Sequence, residues 1–421
     1  MSSFLKTGKK AMAVVLCVLL LLPFVFTTAF AAIFMDESLL YEGGRITEQK
    51  SYTITKGIDE KYIVLNNESN SNQIKNYAFE VDLSNEDLFI LAGYNDGDAD
   101  EWAMAGLDAQ VEAMEKNRGV DVVAAVNAGC YNITTGEPAD ILIMDGKLIH
   151  QSVKQSFFAI LYDGTAVIRR AGSRIDDVKE AVSGMSHLIE NGKIVATDDV
   201  NTSPRCSVGI KKNGSVVFMV CDGRQSPDSC GMTYVQQANA MKALGCVDAI
   251  ALDSGGSATI MTQRECMSEM QVRNNPCYGF VRPIASSLMI CTSAKPTDEF
   301  DHITFDESEY KIYPGRSFSI SMVACDVNGF KVDMPEGKLV LENTSYGRLV
   351  GSTFFAGMNT GTVNLNYVAE ADGAVIATVP ITVTTEAESF IVETTNTILR
   401  FFGNLIDMIK FVFQKLMSYL Q

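Results

Sequence analysis

Two short apolar runs, Val120–Val126 and Asp248–Leu252, each lead straight into a cluster of asparagine, aspartate or glycine. A continuous β-branched or apolar run of this length reads as a strand buried on both faces. Polar side chains at the end of such a strand are held by a rigid scaffold and sit where a cleft opens. The chain must therefore bury both strands and leave their polar ends accessible.

The elements around them are mixed. Tyr52–Thr55, Tyr62–Leu65 and the alternating stretch Asn76–Leu83 read as strands. Trp102–Arg118 has helical spacing, with Met104, Leu107, Val111 and Met114 on one face. Ser156–Ile168 reads as strand, turn at Asp163-Gly164, and strand; Thr233–Leu244 reads as a helix stopped by Gly245. Ile284–Cys291 is one more buried strand, and no GxGxxG or regular strand–helix–strand repeat is present, which disfavours a dinucleotide fold. These patterns predict an α+β, mixed-sheet catalytic domain over residues 36–292. Thr292–Phe300 is a polar, proline-containing linker. Residues 301–385 then carry short strands separated by Pro314-Gly315, Asn328-Gly329 and Asp372-Gly373, which predicts an Ig-like all-β sandwich.

The two ends have their own signatures. Residues 1–31 combine Lys6, Lys9 and Lys10, an apolar core from Ala11 to Phe26, and Ala29-Phe-Ala31, the pattern of a cleaved secretory signal. The expected location is extracellular, secreted or at the cell surface. From Ile398 to Leu420 apolar residues recur at three- and four-residue steps, so residues 390–421 predict an amphipathic helix too polar to span a bilayer. Such a helix offers a face to a membrane interface, to a partner helix or to its own domain. The chain is acidic, with a net charge of −17, and losing the three signal lysines takes it to −20. That excludes bulk-charge binding of nucleic acid. The three histidines His150, His187 and His302 form no HExxH or HxH spacing, so neither a metal nor a cofactor is expected at the site. The ten cysteines leave nine after the signal, an odd number, and no CxxC occurs. A two-residue Asn213-Gly214 turn would set Lys212 opposite Ser215 and Cys206 opposite Cys221. Those two cysteines are then close enough for a disulfide, or are simply two buried apolar side chains.

Three clusters carry chemistry. The first is Asn127-Ala-Gly-Cys-Tyr-Asn132, followed by Gly136-Glu137-Pro138. The second brackets the hairpin, with Ser203-Pro-Arg205 before it and Asp222-Gly-Arg224 after it. Guanidinium forks suit a phosphate or carboxylate, although a structural Asp–Arg pair at a hairpin mouth would look the same. The third is Leu252-Asp253-Ser254-Gly255-Gly256-Ser257, an acid followed by a glycine turn whose N–H groups can approach an anion, with Arg282 further along the chain.

The ordered series NxGxxN–GEP, PR…VGI…DGR…GMT, LDxGGSAT and RNxP…RP…SSL resembles the phosphodiester glycosidase family over roughly residues 75–292. The resemblance implies hydrolysis of the bond between a sugar anomeric carbon and a phosphodiester on a cell-surface or extracellular glycan. Arg205, Arg224 and Arg282 would then stabilise the departing phosphate. Asp253 is the first candidate for the carboxylate at the oxocarbenium-like centre, with Asp222 and Glu137 as the other acids. Asn127 and Asn132 would hold sugar hydroxyls or phosphate oxygens, and Gly255, Gly256 and Ser257 would line the anion turn. Relatives often carry Glu, Gly and an acid where this chain has Gln236, Ser254 and Val281. Those departures motivate a second reading, a catalytically impaired carbohydrate- or phosphate-binding surface protein. The terminal helix motivates a third, an exopolysaccharide-assembly factor.

Overall fold

The computed structural model describes residues 35–67, 72–95, 102–198 and 200–385. The proposed signal, residues 1–31, and the proposed terminal helix, residues 390–421, lie outside the described residues. Among the described residues no helix is long and apolar enough to cross a membrane.

The fold is dominated by β-sheet, and this corrects the α+β expectation. Only two α-helices occur among the described residues, α1 (Leu107–Arg118) and α2 (Tyr234–Ala243). Both helices lie within stretches of helical spacing, but the apolar runs between them pair antiparallel with one another and need no helical crossovers. Helix α1 also begins later than its spacing suggests. Ala105 forms a β-bridge to Ile284, and Trp102 packs edge-on against Tyr94 and His150.

Three antiparallel sheets enclose the main core. An eight-stranded sheet runs Gly44–Thr55, Ile58–Asn67, Gln73–Val81, Val216–Cys221, Arg205–Lys211, Cys246–Ala251, Ser186–Glu190, Lys193–Ile194. A five-stranded sheet sets Asp121–Asn127 between Ile260–Thr262 and Ser286–Thr292, with Gln271–Val272 and Leu88–Tyr94 at its edges. Another five-stranded sheet is built from residues 142–183. Phe79, Phe218 and Ile250 from the first, Val126 and Leu288 from the second, and Phe158 and Val182 from the third meet in one buried cluster. Because strands from all three sheets are covered on both faces, their sequences are apolar throughout rather than alternating. Helix α1 covers the outer face of the second sheet with Leu107, Val111 and Met114. Helix α2 lies on the eight-stranded sheet, where Gln237 donates to the Cys206 carbonyl at 2.9 Å.

The hairpin 205–221 departs from the two-residue turn. Lys211 pairs with Ser215, and Gly214 sits at φ 92°, so the loop has three residues: Lys212, Asn213 and Gly214. The left-handed glycine absorbs one residue, as in a bulged hairpin. The register therefore shifts by one: Arg205 faces Cys221, and Cys206 faces Val220. Cys206 and Cys221 are free, buried thiols, and the disulfide among the described residues is Cys266–Cys325.

Strands from His302 onward pair only among themselves. One sheet orders Tyr310–Ile312, Val375–Val383, Gly361–Ala369 and Gly337–Leu341; another joins Ser317–Ser319, Thr353–Ala356 and Gly347–Val350. Phe354, Val363, Leu365, Val379 and Ile381 are buried in one cluster that takes residues from both. Tyr52 donates to Glu307 at 3.0 Å and Thr55 to the Asn328 carbonyl at 2.8 Å, so this part is tied to the first long strands.

Candidate active site

The strand Asp121–Asn127 ends where the strand Cys246–Ala251 ends, and Asn127 joins the two. Its Nδ2 donates to the Asp253 carbonyl at 2.7 Å, and its Oδ1 accepts from the Thr259 amide at 3.1 Å. The Asp253 amide donates to the Ala128 carbonyl at 2.8 Å. Asn127 is buried, and its side chain holds the loop 253–259 in place. It is thus a brace for the site rather than a group facing solvent.

Within that loop, Asp253 Oδ1 accepts from the Ser254 amide at 2.9 Å. The Cys130 thiol lies 3.5 Å from the same oxygen, and Arg282 Nη2 lies 3.7 Å from Oδ2. Burial pushes the Asp253 carboxyl above its usual range, opposed by Ser257, Arg282, the Ser254 amide and Cys130. Burial likewise pushes the Cys130 thiol up, to about 12, with the neighbouring Asp253 charge adding to it. Cys130 is therefore a neutral thiol at neutral pH.

Gly255–Ser257 form a single 3₁₀ turn, with Gly255 at φ 67°. Two arginines flank it. A Cβ on Gly255 would fall 3.1 Å from Arg224 Nη2, and one on Gly256 would fall 3.1 Å from Arg282 Nη1. Arg224 also reaches Ser203 Oγ at 3.4 Å. Arg282 donates to Ser257 Oγ at 2.5 Å and to the Tyr131 hydroxyl at 3.2 Å, and Tyr131 donates onward to the Pro283 carbonyl at 2.7 Å. A carboxylate, two guanidinium groups and a glycine turn thus share one small region. Such a set can bind an anion beside a carboxylate.

The remaining predicted residues stand elsewhere. Arg205 is buried, and its fork donates to the carbonyls of Met232 and Asn201 at 2.8 and 2.7 Å while it stacks 3.9 Å over Tyr234. Its hydrogen-bonding capacity goes into holding the hairpin mouth. Asp222 is buried and accepts from Asn274 Nδ2 and from the Asn275 amide, each at 3.0 Å. Burial pushes its carboxyl up to about 7. It anchors the segment that continues to Tyr278 and Arg282. Asn132 is exposed and caps its own turn by accepting from the amides of Thr134 and Thr135. Glu137 is about half exposed, with Oε1 3.9 Å from His150 Nε2.

The site also contains residues that the motif reading left without a role: Cys130 and Tyr131 of the first cluster, Asn274 and Tyr278. Asn274 donates to Asp222 and to the Ala258 carbonyl and accepts from the Ile260 amide, so it stitches three segments together. Its RNxP motif was the available signal. The three departures have plain places. Ser254 is at φ −127°, ψ −171°, an extended conformation open to any side chain. Gln236 completes a capping box with Thr233, accepting from the Thr233 amide at 3.0 Å and donating its own amide to Thr233 Oγ1 at 3.1 Å. Val281 packs against the cluster under α1.

The residues of the site fall within a stretch that matches a known family. Residues 121–291 match the phosphodiester glycosidase family, so the resemblance read from the motifs holds for the middle of the chain. Among curated relatives, the mouse (Mus musculus) N-acetylglucosamine-1-phosphodiester alpha-N-acetylglucosaminidase is 28% identical over 162 residues, 32% of this chain and 31% of that protein. The SPbeta prophage-derived uncharacterized protein YomE of Bacillus subtilis is 29% identical over 125 residues, 30% of this chain and 17% of that protein. The chain thus spans about a third or less of the length of these relatives. Among solved structures, the zebrafish N-acetylglucosamine-1-phosphodiester alpha-N-acetylglucosaminidase catalytic domain, auto-inhibited by its pro-peptide, is similar at 20% identity and a TM-score of 0.46. That similarity covers 59% of this chain and 88% of the solved one.

Proposed function

We propose that this chain is an extracellular phosphodiester glycosidase that hydrolyses the bond between a sugar anomeric carbon and a phosphodiester on a glycan. The observation that carries the reading is the convergence of Asp253 with Arg282 and Arg224 around the Gly255–Ser257 turn. The family match over residues 121–291 supports it, and the signal-like residues 1–31 support the location.

The chemistry follows from charge. Cleavage makes the sugar carbon cationic and releases a phosphate monoester, which is already a stable anion. The leaving group needs positive partners more than it needs a proton. Arg282 and Arg224 supply them from beside the turn. Asp253 supplies the negative charge on the sugar side, either as an electrostatic partner, as a nucleophile or as the base for water. Its raised carboxyl makes it a better proton acceptor than an ordinary aspartate.

A panel of sugar-1-phosphodiesters, with products read by mass spectrometry, tests the proposal. Free sugar should appear with the wild-type chain. An Asp253→Asn variant that melts like wild type should lose about a hundredfold or more of kcat. Tight ligand binding with no turnover by the wild-type chain would instead establish a binding protein.

A further inference from the structure

Outside this site, one cluster of metal-binding side chains among the described residues has no part in the proposed reaction. His302 and Cys325 are directly paired residues of the adjacent antiparallel strands His302–Phe305 and Met322–Cys325. Side chains so placed lie on one face, close together. Glu265 comes from the first part of the chain, and its Oε2 is 2.9 Å from His302 Nε2. Single donor atoms from Glu265, His302 and Cys325 all lie within 4.8 Å of one another. Cys266 follows Glu265 directly and is bonded to Cys325, so a second sulfur belongs to the same cluster.

We propose that Cys266, Cys325, His302 and Glu265 form a zinc site when the disulfide is reduced. The donor set of two sulfurs, one imidazole nitrogen and one carboxylate oxygen is a closed tetrahedral set for zinc, and thiolates exclude magnesium and calcium. Tetrahedral zinc with bonds of ~2.0–2.3 Å places its donors about 3.3–3.8 Å apart. The donors lie within 4.8 Å of one another, so closing onto an ion takes a contraction of about 1 Å. His302 Nδ1 is bonded to Asp301 Oδ2 at 2.9 Å, the outer-shell carboxylate that fixes an imidazole for ligation through Nε2. Cys325 and Glu265 are buried, whereas the His302 side chain is partly exposed and gives the ion a route in.

The two states exchange by balanced chemistry. Two molecules of a thiol reductant give two electrons and two protons to Cys266–Cys325 and leave as one disulfide. Zinc then displaces two protons from the freed thiols and one from the His302 imidazolium held between Glu265 and Asp301, and binds both thiolates, the neutral imidazole and the Glu265 carboxylate. The nascent chain carries thiols, so the zinc form precedes the disulfide form, and an oxidant such as molecular oxygen or another disulfide releases the ion. Either state pins the loop at 265–266 to the strands at 302 and 325.

The test uses the full chain, reduced with a phosphine and exchanged into zinc, with bound metal counted by mass spectrometry of the intact protein. The reduced chain should hold one zinc and, loaded with cobalt(II) instead, show tetrahedral thiolate–cobalt absorption. Cys325→Ser and Glu265→Gln should each weaken zinc by at least about a hundredfold, and Asp301→Asn by about ten- to a hundredfold. The oxidised chain should take up none tightly. Circular dichroism identifies any variant that fails to fold, and for that variant the wild-type cobalt spectrum decides. Zinc uptake that is absent from the reduced chain, equal in the oxidised chain, or unchanged in the folded variants would overturn the site.

Discussion

Replacing Gly256 by alanine adds a single methyl group at the heart of the proposed site. Its Cβ would fall 2.0 Å from Tyr278 Cε2 and 2.7 Å from Cδ2, with Arg282 Nη1 at 3.1 Å. Carbon atoms settle about 3.5–4.0 Å apart, so the Tyr278 ring must retreat by about 1.5 Å. Gly256 is not among the left-handed glycines, so the perturbation is steric and leaves the backbone unstrained. Tyr278 is only half-buried and can swing outward, which keeps the stability loss near the low end of overpacking, about 1 kcal/mol. Catalysis should suffer more. A displacement of about 1 Å near reacting groups costs on the order of a hundredfold in rate, equivalent to about 2.7 kcal/mol. Sugar release should be followed as kcat/KM alongside a thermal melt. A Gly256→Ala, Tyr278→Ala double variant removes the clashing ring and should recover about tenfold over Gly256→Ala alone. Gly256→Ala within threefold of wild type would refute the placement of the reaction against this turn.

Other outcomes follow from the same geometry. Arg282→Lys should lower kcat by about a hundred- to a thousandfold, because one ammonium cannot serve Tyr131, Ser257 and Asp253 together; near-wild-type kinetics would remove Arg282 from the reaction. Gln236→Glu should leave the melting temperature and kcat unchanged, since either side chain closes the capping box, whereas Gln236→Ala should cost about 1 kcal/mol in denaturant unfolding. Burial raises Asp222 and Glu180 each to about 7. The fold therefore holds protons that the unfolded chain gives up above ~4, and stability falls as pH rises from ~4 through 7. Melts at pH 5 and pH 8 should show the higher temperature at pH 5, and a folded Asp222→Asn variant should lose part of that difference; an unchanged difference would refute the assignment.

Much of the site was readable because its pieces sit at strand ends. Val120–Val126 and Asp248–Leu252 announced buried strands, and Asp253, Gly255 and Ser257 came with them. What the residues do there was less readable. An asparagine or arginine in a motif looks alike whether it binds ligand or backbone. Asn127 and Arg205 spend their hydrogen bonds on carbonyls and amides from distant segments, which no local pattern reveals. The dominance of sheet was hidden for a related reason: strand pairing between residues 76–81 and 216–221 is a long-range choice. The hairpin register turned on whether Lys212 belongs to the strand or the loop, a matter of one residue. Spacing along the chain likewise says nothing of His302, Cys325 and Glu265, which meet across two strands and a loop.

The buried Asp222–Asn274 contact divides the site into two materials. Below it lies a floor, Asp253 and the glycine turn, set by hydrogen bonds to the ends of core strands. Beyond it, residues 275–282 run from that anchor, touch down again through Val281, and carry Tyr278 and Arg282 to the rim. Such a segment can be exchanged while the floor stays fixed. Recombining residues 275–282 with those of a related sequence, keeping Asn274 and Arg282, should therefore change leaving-group preference in the proposed reaction while the floor is kept.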